Sequence, residues 1–185
     1  MDKIGVTAWI TASQAGALAL LDKKRRLEEK ETVDQLVASG VRRSDARTEV
    51  ARMRPEHWPA LEVVVGEAVR RRLADEDLAG PWAPLTQAEL DRLALSGRWP
   101  GASGGVTLVQ RNYSFPADLV LQLRTASWRV SEKPLARLYE LGLVGSGLRL
   151  TEEQKSRRDE LARLLYPPAR IIREALTEYG PHSNE

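Results

Sequence analysis

The 185-residue sequence contains no cysteine, one phenylalanine and two histidines. The lack of cysteine excludes disulfide bridges, thiolate metal sites and thiol catalysis. His57 lies between prolines in "RPEHWPA" and His182 lies in the tail "GPHSNE", so neither is well placed for metal or general-base chemistry. Carboxylates are numerous, but none lies in an apolar stretch that would tune it for acid–base work. We therefore predict no catalytic residue, no metal, no cofactor and no enzymatic activity.

The sequence also lacks a run of 18 apolar residues, and its apolar stretch "AGALALL" is too short to span a membrane. That stretch has no signal-peptide flanks either, so we expect a cytoplasmic protein without a membrane partner. The formal net charge is only +2. Cations outnumber carboxylates in residues 1–54 and 101–185, whereas carboxylates outnumber cations in residues 55–100. The two ends of the chain are therefore the better candidates for contact with a polyanion.

A short apolar–polar alternation, "GLRL", leads directly into a helix start near the C-terminus. Thr151 is a suitable N-cap and Gln154 follows three residues later, which is the capping-box pattern. The helix "TEEQKSRRDELARLL" is interrupted at "YPP", because proline has no backbone N–H to donate. A second helix, "ARIIREALTEY", then runs to Gly180. The predicted unit is a strand, a helix, a tight turn and a second helix.

Two other stretches have the same order. In the first, the strand "GVTAWI" precedes a capping box at Thr11 and Gln14, with helices "ASQAGALALLDKKRRLEE" and "KETVDQLVASG". In the middle copy, the strand "VTLVQRNYSF" precedes "PADLVLQLRTASW" and then "SEKPLARLYELG", with Ser131 as the cap of the second helix. Each unit alone is too small to bury its apolar faces, so we expect the units to pair.

These units divide the chain into five predicted segments. Residues 1–43 form the first unit, and residues 44–97 form a helical spacer. Residues 98–105, within "SGRWPGASGG", form a linker. Residues 106–180 hold two units that form a pseudo-dimer, and residues 181–185 are a disordered tail. The predicted fold class is mainly α with short β-ribbons, in tandem units with a helical spacer.

The three units resemble the ribbon-helix-helix family of DNA-binding proteins, the Arc and MetJ class. The resemblance is carried by "LRLTEEQ…LARLL…ARIIREAL", by "NYSFPADL…RVSEKPLARLYELG" and by "AWITASQ…ETVDQLVASGV". It implies that strands of two units pair as an antiparallel ribbon. One face of the ribbon packs on helices, and the other enters the major groove of DNA.

The resemblance also implies which residues read bases. In the middle copy Tyr113 and Phe115 would point inward, and in the C-terminal copy Leu148 and Leu150 would do so. We expect the strand at residues 110–115 to pair with the strand at 146–150. The outward side chains, predicted to read bases, are Gln110, Asn112, Ser114 and Arg149.

The first copy is predicted to be a poor reader of bases. Its alternation places Val6, Ala8 and Ile10 inward. Its outward side chains are Gly5, Thr7 and Trp9. Trp9 has no obvious base edge to read, so the first copy would serve homodimerisation through residues 1–43, serve packing, or be a false match.

The family is also expected to clamp a phosphate at the N-terminus of its second helix. Glu28, Glu29 and Glu31 of the first copy would repel a phosphate there. The residues of the other two copies predicted to bind phosphate are Arg129, Ser131, Lys133 and Arg170.

The resulting expectation is a sequence-specific double-stranded DNA-binding protein. The resemblance implies a transcriptional repressor, a plasmid partition or transfer accessory factor, or an antitoxin. The alternative, from a different class, is an all-helical protein-interaction or adaptor domain that does not bind DNA. In that case the apparent repeats would be capped helical hairpins.

Overall fold

The computed structural model describes residues 2–95, 107–145 and 147–179. The regular elements occur in the order β1 (Lys3–Thr11), α1 (Ala12–Ala38), α2 (Arg43–His57), α3 (Leu61–Leu73), α4 (Gln87–Leu95), β2 (Leu108–Pro116), α5 (Ala117–Glu140), α6 (Glu152–Arg163) and α7 (Pro168–Ala175), followed by a 3-10 turn at Thr177–Tyr179. The two strands form one antiparallel sheet. The protein is therefore mainly α-helical with a short β-ribbon, as the sequence predicts.

The ribbon joins the strand of the first predicted unit to the strand of the middle unit. Thr7 lies opposite Asn112 at its centre, and Lys3 lies opposite Pro116 at one end. Each strand leads into a long helix without an intervening loop, so the helices leave the ribbon at its two opposite ends.

The expected pairing of residues 110–115 with residues 146–150 is wrong. Residues 147–150 form no strand, and β2 pairs with β1 instead. Gly147 has a φ of +76°, a left-handed conformation that a continuous strand does not contain. The side chain of Leu148, predicted to point inward, is 46% exposed. The C-terminal unit therefore has its two helices but lacks its strand.

The join between β1 and α1 has the predicted capping box. Thr11 Oγ1 accepts a hydrogen bond from the Gln14 backbone N–H, and Gln14 Oε1 accepts one from the Thr11 backbone N–H, at 3.2 and 3.1 Å. The predicted division of this stretch into two helices is wrong, because α1 is continuous from Ala12 to Ala38. No glycine or proline occurs between Gly16 and Gly40 to end it earlier.

The predicted helix start at Ser131 is also wrong. Ser131 lies inside α5 and is fully buried, and its Oγ accepts a hydrogen bond from the Tyr166 backbone N–H at 2.9 Å. Pro134 lies within the same helix, which continues to Glu140. The hydroxyl of Ser131 therefore ties α5 to the turn before α7 and does not cap a new helix.

Both long helices end in the same way. Gly40 after α1 and Gly142 after α5 have φ values of +97° and +62°, which only glycine adopts readily. In each case the residue after the glycine donates its N–H to the carbonyl five residues earlier, at 3.1 and 2.9 Å. This is the Schellman termination of a helix. The chain thus contains two halves of the same order, β1–α1–α2–α3 and β2–α5–α6–α7, with α4 between them.

The C-terminal helices begin as predicted, but α7 ends at Ala175 and is followed by a 3-10 turn, whereas the predicted helix runs to Gly180. The capping box at Thr151 and Gln154 is present, and α6 begins at Glu152. The helix ends before the two prolines, and α7 restarts with Pro168 at its first position. A small apolar cluster, built from Leu138, Leu161 and Leu165 among others, fixes α6 on α5.

The main core lies beneath the ribbon and joins the two halves. Helix α7 packs on β1, α3 packs on β2, and α3 and α7 pack on each other. The last helix of each half therefore covers the strand of the other half. The core side chains with no more than 1% exposure include Ile10, Val65, Phe115, Leu119, Leu123, Ile171 and Ile172.

An ionic cluster strengthens the contact between α3 and α7. Arg72 contacts Glu174 of α7 and Asp77 in the loop after α3, both at 2.7 Å. The hydrogen bonds to Asp77 and then to Glu174 raise the pKa of the Arg72 guanidinium, and the same contact with Arg72 lowers the pKa of Asp77. The pair of helices beneath the ribbon is thus held by charge as well as by apolar packing.

Where the sequence predicts a helical spacer, residues 44–97, the structure has α2, which begins at Arg43, followed by α3 and α4. The all-helical architecture of the alternative is wrong, because β1 and β2 form a sheet. The division of the chain into five segments stays a prediction, and its linker (98–105) and tail (181–185) lie outside the described residues.

Candidate nucleic-acid interface

The two faces of the ribbon differ sharply in polarity. Ala8, Ile10 and Phe115 point into the core with no exposed surface, and Tyr113 is 5% exposed beside Phe115. The rings of Tyr113 and Phe115 are stacked with their centroids 5.6 Å apart. The predicted alternation of inward-facing and outward-facing side chains is therefore confirmed for both β1 and β2.

The side of the ribbon away from the core is called here the outer face. Its row runs from Lys3 with Pro116 to Thr11 with Leu108, and its three central cross-strand pairs are Gly5 with Ser114, Thr7 with Asn112, and Trp9 with Gln110. Five of these six residues are exposed, and Ser114 is partly exposed. The structure thus brings together three of the four residues predicted to read bases, and adds three from the first copy.

The central pair of the outer face is joined by a side-chain hydrogen bond. Thr7 Oγ1 donates to Asn112 Oδ1 at 2.9 Å. With its carbonyl oxygen engaged, the Asn112 amide has its NH₂ group left to donate to a ligand. Thr7 therefore orients a group that can recognise hydrogen-bond acceptors.

No acidic residue occurs in either strand, whereas each strand has one cation. Lys3 Nζ lies 3.6 Å from Glu62 Oε2, and the two side chains are 59% and 41% exposed, so solvent weakens this ion pair. Arg111 lies in the inward row opposite Ala8, but its long side chain reaches solvent. Each strand of the ribbon therefore has one positive charge and no negative charge.

A third cation lies beneath the Trp9 end of the ribbon. Arg173 of α7 donates from Nη1 to the Trp9 carbonyl oxygen at 2.9 Å. Burial lowers the pKa of the Arg173 guanidinium, and the neighbouring Arg170 lowers it further. This contact fixes the position of the end of β1 from the core side.

Arg149, the fourth predicted base-reading residue, is not on the ribbon. It is exposed in the segment before α6, which forms no strand. Thr7 and Trp9 are on the outer face, as the alternation predicts, and the expectation that the first copy reads bases poorly stays a prediction. The signal for their placement was the alternation in "VTAWI".

Two of the residues predicted to bind phosphate are engaged within the protein. Ser131 is buried, as described above. Arg129 donates from Nη1 to Glu89 Oε1 at 2.6 Å and contacts the carbonyl oxygens of Ala83 and Pro84. Arg129 therefore holds α4 and the preceding loop against α5.

The other two residues differ in exposure. Arg170 donates to Glu174 and to the carbonyl oxygens of Arg163 and Leu165, and its guanidinium lies 3.9 Å from the centre of the Tyr166 ring. It therefore supports the turn between α6 and α7. Lys133 is exposed on α5, and its predicted role in phosphate binding stays a prediction.

The described residues include no cluster of three or more His, Asp or Glu side chains able to hold a metal ion. Within the same residues, no helix has both the length and the apolarity required to traverse a lipid bilayer.

Comparison with known proteins gives no relative: no family model matches the chain, and neither the curated proteins nor the solved structures yield a match.

Proposed function

We propose that the chain binds double-stranded DNA by placing the outer face of the ribbon in the major groove, without catalysis. The observation that carries the proposal is the row of Thr, Asn, Gln and Ser side chains on one exposed side of a sheet whose other side is buried. The ribbon-helix-helix resemblance of the two strand–helix joins supports the same conclusion. The ribbon used is β1 with β2, in place of the pairing predicted from the sequence.

The dimensions of the ribbon suit the groove. Two paired strands are about 4.8 Å apart, and the major groove is about 12 Å wide. From Gly5 to Trp9 the outer face extends about 13 Å at about 3.3 Å per residue. At about 3.4 Å per base pair this length covers roughly four base pairs.

The side chains of the outer face have the chemistry needed to read base edges. Gln and Asn can make paired hydrogen bonds with adenine, and Ser and Thr can bond to several base edges. Because Thr7 engages the Asn112 carbonyl oxygen, Asn112 in the free protein presents donors, which match the acceptors on adenine N7, guanine O6 and N7, or thymine O4. A change of partner by Thr7 on binding would free both halves of the amide.

The ribbon also has a rigid support. Phe115 and Ile10 are anchored in the main core, and α3 and α7 close that core from below. Because the core already holds the ribbon in place, the ribbon loses little conformational entropy on binding DNA, which favours affinity. Phosphate contacts are assigned to Lys3 and Arg111, whose cations lie on the strands themselves.

The test is selection of ligands from a pool of random duplexes, followed by fluorescence anisotropy on the selected sequence. We expect enrichment of a short motif and an affinity that falls as salt is raised. Replacing Gln110 by Ala should weaken binding to the selected duplex by about 1–3 kcal/mol and relax the preference at one position.

The matched control is Gln35→Ala, which removes an exposed glutamine from α1, away from the ribbon. We expect this variant to select the same motif with the same affinity as the wild type. Failure of the wild type to bind any duplex would contradict the proposal and favour the protein-interaction alternative. Repressors and plasmid partition or transfer factors would both require such an interface.

A further inference from the structure

We infer, on the basis of the proposed function, that one copy of this chain reads a DNA site without two-fold symmetry and in one fixed orientation. The inference depends on how the outer face differs from one end of the ribbon to the other. It concerns the symmetry of the target and the number of chains bound, which duplex binding alone does not determine.

A single chain supplies the whole reading surface. β1 and β2 come from the two halves of one chain, and each half uses its last helix to cover the strand of the other. The two halves are therefore interlocked around a shared core. No second copy is needed to complete the ribbon, its pairing or its support.

The two strands occupy equivalent places in the two halves, which allows their side chains to be compared. Each strand has nine residues and is followed at once by a long helix. Counted back from the helix start, the equivalent outer-face residues are Gly5 and Gln110, Thr7 and Asn112, and Trp9 and Ser114. Identical strands would present a two-fold symmetric surface to the groove, as an isologous dimer does. All three pairs differ here.

The register places these differences at opposite ends of the ribbon. Toward one end Gly5 lies opposite Ser114, so this pair projects only a hydroxymethyl group, with Lys3 beyond it. At the other end Trp9 lies opposite Gln110, so a 43% exposed indole lies beside a long amide. We name these the small end and the large end.

The two ends must therefore read different bases. The Gln110 amide can form two hydrogen bonds with adenine, and the Trp9 ring can contact a thymine methyl group. At the small end Ser114 can bond to several bases and discriminates less. A sequence selected by the large end is thus not repeated at the small end.

Selection from random duplexes, combined with native mass spectrometry of the complex, tests the inference. We expect a motif without two-fold symmetry, with its strongest preference at one end, and a complex of one chain with one duplex. Enrichment of a palindrome, or two chains on one selected site, would overturn the inference but leave the proposed function intact. The absence of any selected duplex would instead remove the proposed function and the inference with it.

A designed double variant provides a sharper test. Gly5→Gln with Trp9→Ser makes the three central outer-face residues of the two strands alike, except at the Thr7 and Asn112 position. Gly5 has no positive φ, and a Cβ added there meets nothing within 4 Å, so the substitution fits the strand. We expect this variant to select a motif closer to a palindrome and to bind the wild-type sequence about tenfold less tightly.

The control for the double variant is Trp82→Ser. Trp82 is 39% exposed, similar to Trp9, but it lies in the loop before α4. We expect the Trp82→Ser variant to select the same motif as the wild type. If the folded double variant, checked by circular dichroism, selects the same asymmetric motif as the wild type, Gly5 and Trp9 do not set the asymmetry and the inference is wrong. If the double variant does not fold, the wild-type motif and stoichiometry decide the question.

Discussion

Thr7 and Asn112 lie opposite each other at the centre of the ribbon, and Thr7 Oγ1 donates a 2.9 Å hydrogen bond to Asn112 Oδ1. Their positions are 105 residues apart in sequence, and they belong to two different halves of the chain. The contact therefore links the two halves at the surface proposed to read DNA.

Replacing Thr7 by Val should change which base is preferred at the centre of the site. Val has nearly the same shape as Thr but cannot donate, so both the carbonyl and the NH₂ group of Asn112 become free to bind. We expect adenine to be favoured more strongly, because adenine offers one donor and one acceptor to such an amide. Anisotropy on duplexes that differ at one central base pair measures this. Thr48→Val, an exposed change on α2, should alter nothing.

Replacing Arg111 by Ala should reduce the salt dependence of binding. Arg111 is one of the two cations on the strands, and each phosphate contact contributes about 0.9 to the slope of log affinity against log salt. We expect the slope to fall by about one, with little change in sequence preference. Arg47→Ala on α2 is the comparison, and an equal loss of slope in that variant would contradict the assignment of Arg111 to a phosphate.

Replacing Tyr113 by Phe should leave stability unchanged or raise it by up to about 1 kcal/mol. The Tyr113 hydroxyl is buried and makes no hydrogen bond to any described residue, and burial raises its pKa while Arg111 opposes that shift. Urea unfolding followed by circular dichroism measures the effect. A large loss of stability would reveal a partner for the hydroxyl.

Replacing the neighbouring Phe115 by Ala should, unlike Tyr113→Phe, destabilise the folded protein. Phe115 has no exposed surface and stacks on Tyr113 in the main core. Removal of its ring should cost about 3–5 kcal/mol, because both apolar burial and packing are lost. An unchanged unfolding midpoint would mean that the ribbon is not anchored through this side chain.

Acid should weaken the contact between α4 and α5. The hydrogen bond from Arg129, assisted by the backbone N–H of Thr86, lowers the pKa of Glu89 from 4.5 to about 2. A carboxyl group whose pKa is lower in the folded state than in the unfolded state stabilises the fold at pH values above its unfolded pKa. This stabilisation is lost as the pH falls from about 4.5 to about 2. At pH 7 we expect the Tm of the wild type to be higher than the Tm of Glu89→Gln. The difference in Tm should shrink as the pH falls from about 4.5 to about 2. A difference that stays constant with pH would exclude an ionised Glu89 as its cause.

Much of the local structure followed from local patterns. The capping boxes at Thr11 and Thr151, the break at Pro167 and Pro168, and the alternation within both strands depend on neighbours a few residues away. The positions of Gln110, Asn112 and Ser114 on an exposed face followed from the same alternation. The predictions that failed concerned where the two long helices end and which distant segments meet.

The sequence by itself determined that each of the two strands runs directly into a helix and which face of each strand is apolar, because backbone propensity and side-chain period act over a few residues. Only the tertiary structure decided that β2 pairs with β1, that Ser131 lies inside a helix, and that Trp9 lies beside Gln110. The alternation around Leu148 is as regular as that around Ala8, and no local rule separates them. Burial does: the inward face of β1 covers a core shared by both halves, whereas Leu148 stays exposed beside a glycine with positive φ.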